Sequence, residues 1–358
     1  MEEVPVRKSI AAVAVASSGH PLNCPITIRA TGRYAPPTVV HSTAIDTRLG
    51  LAPGTLEALA RVKTRRYASA SETTTYMAAE AARDALTRAG MTSSDLDCIV
   101  SVSGVNQQPI PSNAALIQEH LGLSSLPSFD VNATCLSYIV GLDLIAPHVA
   151  SGRYRNVLLV ASDKASTGIN DNQHESAALF GDGAAATILT RSTDATGDAG
   201  SRLIAARLET YPEGAHWTEI RGGGNQRPAS GYTLADDADF KFDMDGRKVF
   251  RLAYERIDGF LDAMFGAIGT TFNDALPSIA AIVPHQSSPS ALRVLQRKLR
   301  IPDEKFVNMT EEFGNMVAAS IPFALDHAVR SRKIERGQKV LLMGAGAGMS
   351  FGGVLLEY

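Results

Sequence analysis

Three residues of this sequence combine a reactive type with a place at the end of an element. Cys135 stands in DVNATCLSYIVGL, residues 130–142, where an apolar helix is predicted to start. A cysteine in apolar surroundings is most often inert packing. A thiol at a helix N-terminus is different, because orphan backbone N–H groups and the positive end of the helix dipole favour the thiolate and lower its pKa. His285, in IAAIVPHQSS, follows an apolar strand, which is where open α/β sheets place their ligands. It is either a cap for the next helix or a base able to take the thiol proton. Asn315, in EEFGNMVAAS, opens another predicted helix, where a turn or cap is the ordinary use of Asn after Gly.

The C-terminal KVLLMGAGAGMSFGGVLLEY invites a dinucleotide reading and fails it. Gly344, Gly346 and Gly348 do not match G-x-G-x-x-G, and the ten residues after Gly348 read as a strand instead of a helix. Small residues there let backbone N–H groups approach a ligand, so the loop could donate to an oxyanion. RGGGNQRPAS lacks the lysine of a phosphate loop and reads as a flexible connection. His174 has no companion at metal-ligand spacing, so no metal is assigned.

The elements that must position these residues alternate between helix and strand. TYMAAEAARDALTRAG is an Ala-rich helix ending at Gly90, and LDCIVSVSGV is a short apolar strand. Such alternation predicts an α/β fold with a buried sheet. The second half then repeats the first in outline. Residues 129–163 run start, helix, basic turn, strand, and residues 306–346 do the same; LDCIVSVSG is echoed by IAAIVPHQS, and GDGAAATILT by FGGVLLEY. This internal duplication predicts two similar halves facing one another, residues 26–200 and 201–358, after an extension over residues 1–25. In it Cys135 and the Gly314-Asn315 pair are expected to occupy corresponding places.

Composition narrows the rest. With 358 residues and 45% hydrophobic content the chain can bury a large core. Lys plus Arg number 34 against 37 Asp plus Glu, so no basic excess points to nucleic acid or an anionic membrane. Three scattered cysteines, Cys24, Cys98 and Cys135, argue against a disulfide framework and for a reducing cytoplasm. The run SIAAVAVA, residues 9–16, follows Glu2 and Glu3 and lacks a clean cleavage site, so it is not read as a secretion signal. No run of 18 apolar residues exists to span a membrane.

Cysteine at one helix start, PHQ after a strand, GN-x-x-AAS at the partner helix and a terminal glycine loop together resemble the thiolase fold, and within it the β-ketoacyl-acyl carrier protein synthase III group. IPSNAALIQEHLGL, FGDGAAATIL, FDMDGRKVF and IPFALDHAVRSRKI fall in that family's order. The resemblance implies a five-layered αβαβα core, a homodimer and catalysis without a cofactor. It makes Cys135 the nucleophile that takes an acyl group from a thioester such as acyl-CoA. His285 and Asn315 would bind a malonyl thioester and support its decarboxylation. The backbone N–H groups of Cys135 and Ala347 would form the oxyanion hole. Met244, Gly246, Phe250, Ser288 and Ile110 would contact substrate, and acyl carrier protein is a further partner it suggests.

The same resemblance marks departures. The stretch TLEALARVKTRRYA has no Trp, and Leu59 stands at the place of an Arg that clamps coenzyme A. Ser288 replaces an Asn, and Ile110 replaces the aromatic that reaches into the partner subunit's acyl pocket, leaving room for a longer or branched chain. Pro147 should kink the helix after Cys135. Arg293, Arg297, Lys298 and Arg300 offer either a solvated helix face or a dock for an acidic carrier protein. The leading expectation is acylation of Cys135 followed by decarboxylative Claisen condensation, in fatty acid or polyketide biosynthesis. Its rivals are acyl transfer to an alcohol or amine, and a silent paralogue that binds acyl chains.

Overall fold

The computed structural model describes residues 21–192 and 201–358. Its strands are β1 (Pro21–Cys24), β2 (Ile26–Tyr34), β3 (Val39–His41), β4 (Thr64–Arg66), β5 (Cys98–Ser101), β6 (Ser128–Asp130), β7 (Asn156–Lys164), β8 (Asp182–Arg191), β9 (Arg202–Thr210), β10 (Thr218–Glu219), β11 (Asp243–Met244), β12 (Ile279–Pro284), β13 (Lys339–Gly346) and β14 (Ser350–Glu357). Its α-helices are α1 (Ser42–Arg48), α2 (Thr55–Ala60), α3 (Thr74–Ala89), α4 (Asn113–His120), α5 (Ser137–Ala150), α6 (His174–Leu179), α7 (Gly246–Gly266), α8 (Phe272–Ala275), α9 (Pro289–Lys298), α10 (Thr310–Phe313) and α11 (Ser320–Arg330).

Two five-stranded sheets carry the duplication, ordered β2-β8-β7-β5-β6 and β1-β9-β14-β13-β12. Each contains a parallel pair, β5 with β7 and β12 with β13, followed by an antiparallel one, β7 with β8 and β13 with β14. Ile99 pairs with Leu158 in the first sheet as Ile282 pairs with Leu341 in the second, which fixes the correspondence residue by residue. Successive residues of a strand face opposite sides. Val100 and Leu159, with Val283 and Leu342, therefore point into a central layer with α5 and α11. Ile99 and Leu158 point outward beneath α3 and α4, and Ile282 and Leu341 outward beneath α7 and α9. Helices outside, sheets within and helices at the centre make the five layers of a thiolase-like αβαβα fold. Both faces of these strands are covered, which is why they read as unbroken apolar runs.

Local chemistry sets the outer helices. Thr73 caps α3 by accepting from the Tyr76 N–H, and Gly90, at φ 66°, ends it. Its buried Ala78, Ala81, Ala82 and Ala85 let the helix lie close on the sheet. A Cβ on Gly32 would fall 2.3 Å from the Ala85 nitrogen, so only glycine fits beneath it.

One expectation changes. The extension is shorter than 1–25, because Pro21–Cys24 pair antiparallel with β9 as an edge strand of the second sheet, and Cys24 joins the central core. The run 9–16 lies outside the described residues. Pro147, the expected kink, lies inside α5 in its last turn, and the helix continues past it to Ala150. Among the described residues no helix is long and apolar enough to cross a membrane.

Candidate active site

The site is built on two turns of the same design, one from each half. In NATCLS, residues 132–137, the Asn132 Oδ1 accepts from the Thr134 N–H at 2.9 Å, and the Ser137 Oγ accepts from the Ala133 N–H at 2.9 Å. In NMVAAS, residues 315–320, the Asn315 Oδ1 accepts from the Val317 N–H at 2.9 Å, and the Ser320 Oγ accepts from the Met316 N–H at 2.9 Å. Thr134 and Val317 hold φ 54° and 51°, a left-handed conformation that non-glycine residues adopt only where the surroundings enforce it. Each turn leads through a short 3-10 segment into a central helix, α5 or α11. This register corrects the expected correspondence. Asn315 is the counterpart of Asn132, not of Cys135, and the counterpart of Cys135 is Ala318.

Cys135 therefore sits one residue past a strained turn, at the foot of α5, and only half-buried. It lines a cavity of about 430 Å³. Two backbone N–H groups, its own and that of Ala347, point at the sulfur. They do not win. Burial, and then the charge of Asp163, push the thiol up to about 12, against the expectation that the helix start would lower it. The glycine loop comes this close only because it has no side chains: a Cβ on Gly346 would lie 2.8 Å from the Thr134 Oγ1, and one on Gly344 2.7 Å from the His285 Cβ.

His285 and Asn315 line the same cavity, 5% and 8% exposed. Burial pulls the His285 pKa down to about 4, so its ring is neutral at ordinary pH. Its Nδ1 is buried without a hydrogen-bond partner, and in the tautomer that carries the proton on Nε2 the ring offers an N–H donor. The Asn315 Oδ1 is taken up within its own turn, leaving its NH₂ as the end free to donate. The Asn315 backbone is pinned in turn, its N–H donating to the Leu179 carbonyl at 2.8 Å and its carbonyl accepting from the Gly181 N–H at 3.0 Å. Gln286, which sequence reasoning passed over as a letter of PHQ, is wholly buried. Its Nε2 donates to the Pro284 and Val307 carbonyls and its Oε1 accepts from the Met309 N–H, which fixes the strand end carrying His285.

Met244, Gly246, Phe250 and Ser288 also line the cavity. The Ser288 Oγ is committed to capping α9, where it accepts from the Ala291 N–H at 3.2 Å. Ile110 is apart from it, 82% exposed, and Leu59 on α2 is likewise outside the wall. Two charged wall residues went unnoticed in the sequence. Glu175 lies over Gly246, its carboxylate 3.0 Å from where a Cβ would stand, and Arg247 follows that glycine. Of the four cations on and after α9, Arg293 pairs with Glu311 and Lys298 with Asp258, while Arg297 and Arg300 line a separate groove of about 690 Å³. Asp163, also unforeseen, is fully buried behind Cys135 with four backbone N–H donors.

Comparison with known proteins agrees with this geometry. Residues 129–212 match the family described as 3-oxoacyl-[acyl-carrier-protein (ACP)] synthase III, and residues 275–358 match its C-terminal family. A β-ketoacyl-[acyl-carrier-protein] synthase III of Aquifex aeolicus is 32% identical over 329 residues, covering 92% of this chain and 98% of the relative. The crystal structure of 3-oxoacyl-[acyl-carrier-protein] synthase III from that organism superposes with a TM-score of 0.80 at 29% identity, over 92% of this chain and 98% of the other. The priming β-ketosynthase of the R1128 polyketide pathway gives a TM-score of 0.81 at 27% identity, over 94% and 97%. With a shared fold, a full-length relative above 30% identity and the Cys, His and Asn brought to one cavity, this chain belongs to the β-ketoacyl-[acyl-carrier-protein] synthase III family of condensing enzymes.

Proposed function

We propose that this protein is an acyltransferase that takes an acyl group on to Cys135 and condenses it with a malonyl thioester. The observation that carries the reading is the convergence of Cys135, His285 and Asn315 on one apolar cavity, with the Asn315 oxygen already engaged and its NH₂ left to donate. In the first half-reaction the Cys135 sulfur attacks the thioester carbonyl while its proton leaves for the departing thiol. The resting thiol is neutral, so attack and proton loss go together. The carbonyl oxygen becomes an oxyanion that the N–H groups of Cys135 and Ala347 receive.

In the second half-reaction the malonyl thioester carbonyl accepts from His285 Nε2 and Asn315 Nδ2. A neutral imidazole suits this, since it donates without adding a charge. The bond to the malonyl carboxylate breaks, carbon dioxide leaves, and the electron pair passes into an enolate held by the two donors. Its carbon attacks the acyl-Cys135 carbonyl, and the C–S bond breaks to release a β-ketoacyl thioester and the Cys135 thiolate, which takes a proton from water to restore the resting thiol. Met244, Gly246 and Phe250 line the way in.

The reading includes a homodimer and an acidic carrier protein as partner. Strand β6 is an edge of the first sheet and exposes Phe129, which supports pairing through that edge. Arg297 and Arg300 face their groove without a carboxylate bridge among the described residues, so their charge is available to a carrier. Arg297→Glu with Arg300→Glu should raise KM for malonyl carrier protein several-fold and spare malonyl-CoA; equal effects on both would remove the carrier from the reading. All three cysteines are free thiols, which suits a reducing cytoplasm.

The experiment is incubation with acyl-CoA thioesters of graded chain length, read by intact mass with Cys135→Ala beside it. A mass gain lost in the variant, followed by carbon dioxide release on adding malonyl thioester, supports condensation. A gain followed by an ester or amide product, or no gain with any donor, overturns it.

A further inference from the structure

The duplication places Asp163 at a telling position. Counting from the paired residues Leu158 and Leu341, Asp163 in the first sheet corresponds to Gly346 in the second. Each stands behind the turn of the opposite half. Gly346 stands behind Cys135, where even a Cβ would come within 3.5 Å of the Cys135 nitrogen. Asp163 stands behind Ala318, the counterpart of Cys135, and there a full carboxylate fills the space. Its Oδ2 accepts from the Ala318 N–H at 3.0 Å and from the Ala319 N–H at 3.3 Å. Its Oδ1 accepts from the Gly104 and Val105 N–H groups, both at 2.9 Å. The Gly104 carbonyl in turn accepts from the Asn132 Nδ2 at 3.1 Å.

One side chain thus reaches both turns: the NMVAAS turn through Ala318 and Ala319, and the NATCLS turn through Gly104 and Asn132. We propose that Asp163 is the positioning residue of the condensation step, its carboxylate tying the Gly104–Val105 loop to the Ala318–Ala319 turn and so fixing how Asn315 presents its amide beside Cys135. The inference rests on the condensing reading above. It also explains why a duplicated fold has one site. Where glycine stands, at 346, the N–H of Cys135 is left free for an oxyanion. Where Asp163 stands, the matching N–H groups are consumed and the partner turn is purely a mount for Asn315.

Asp163 is not neutral toward the chemistry it organises. Burial raises its own pKa to about 7 in spite of the four N–H donors, so the carboxylate is fully charged only above neutral pH, and in the alkaline range where Cys135 ionises its charge opposes the thiolate. The groups that contact its carboxylate are the four backbone N–H donors. Lys164, next in the strand, is turned to the Ser69 and Glu72 carbonyls. The other ionisable groups on the wall that Cys135 faces are His285, Glu175 and Arg247. Removing the Asp163 charge should make the thiol easier to ionise while loosening Asn315. The two half-reactions then move in opposite directions, which a general loss of structure does not do.

The test compares wild type with Asp163→Asn in three measurements: acylation of Cys135 by acyl-CoA, carbon dioxide release from malonyl thioester by preacylated enzyme, and the pH midpoint of Cys135 alkylation. In the variant, condensation should fall at least about 30-fold, acylation should hold within about threefold or rise, and the midpoint should move to lower pH. If both half-reactions fall together, or the midpoint stays, Asp163 is structural only and the proposal fails. Absence of acylation in wild type is a separate result, against the condensing reading itself. Hydrogen exchange on wild-type protein needs no variant to fold: the Ala318 and Ala319 amides should be strongly protected, and fast exchange there overturns the proposal.

Discussion

Asn315→Asp isolates a single donor. The Asn315 Oδ1 holds the Val317 N–H at 2.9 Å, and an aspartate oxygen can keep that contact, so the strained turn at Val317 survives. What is lost is the NH₂ on the cavity side, replaced by an oxygen where enolate charge develops. Removing one donor of this kind costs about 10²–10³ in kcat, about 3–4 kcal/mol, and the low exposure of Asn315 puts the loss at the upper end. Acylation uses the N–H groups of Cys135 and Ala347 and should change by no more than about threefold. The duplication supplies a matched control. Asn132→Asp makes the same change in the sister turn, where it costs one hydrogen bond to the Gly104 carbonyl but no donor to the enolate; it should lower stability by about 1 kcal/mol and slow condensation far less than Asn315→Asp does. The assay is single-turnover: load Cys135 with acyl-CoA, remove excess donor, add malonyl thioester, and follow carbon dioxide and β-ketoacyl product. Condensation within threefold of wild type in Asn315→Asp, or an equal fall in acylation, refutes the assignment of Asn315 to the second half-reaction.

Three further outcomes follow from the same geometry. With its thiol pushed up to about 12, Cys135 should react with iodoacetamide at a rate that climbs through the alkaline range, and a plateau below pH 7 would contradict burial as the ruling effect. Gly346→Ala places a Cβ 2.8 Å from the Thr134 Oγ1 beside the Cys135 N–H, so acylation should fall about 10-fold or more; unchanged acylation shows that the loop can retreat at no cost. His285, held near 4 when folded against about 6.5 when unfolded, binds its proton more readily in the unfolded chain. Its contribution to stability is complete above pH 6.5 and drains away as pH falls toward 4, by on the order of 1–3 kcal/mol. Denaturant titrations of His285→Gln across that window should show a correspondingly flatter pH dependence, and an identical slope removes His285 as its source.

Much of this was legible in the chain because the fold is written in short-range pattern. The apolar runs of the buried strands, the capped alanine helix and the repetition of segments point to two facing α/β halves without any knowledge of contacts. The site residues were legible for the same reason, since strand ends and helix starts are where such folds expose side chains. The errors came where distance along the chain hides proximity. Cys135 was matched to Gly314-Asn315 by role, whereas the register lay in an available signal, the spacing from Asn132 to Ser137 repeated from Asn315 to Ser320. The thiol was expected to be acidic because a helix start can be read locally, while the desolvation that reverses it comes from walls contributed by α7, α9 and β13. Asp163 was invisible for a stronger reason. Its four donors come from residues 104, 105, 318 and 319, and nothing in an SD dipeptide at a strand end announces them. What singles it out is the break in the duplication, an aspartate where the sister strand has glycine. In a folded repeat, the positions at which the halves disagree are where one of two equivalent places has been turned into a site and the other into its support.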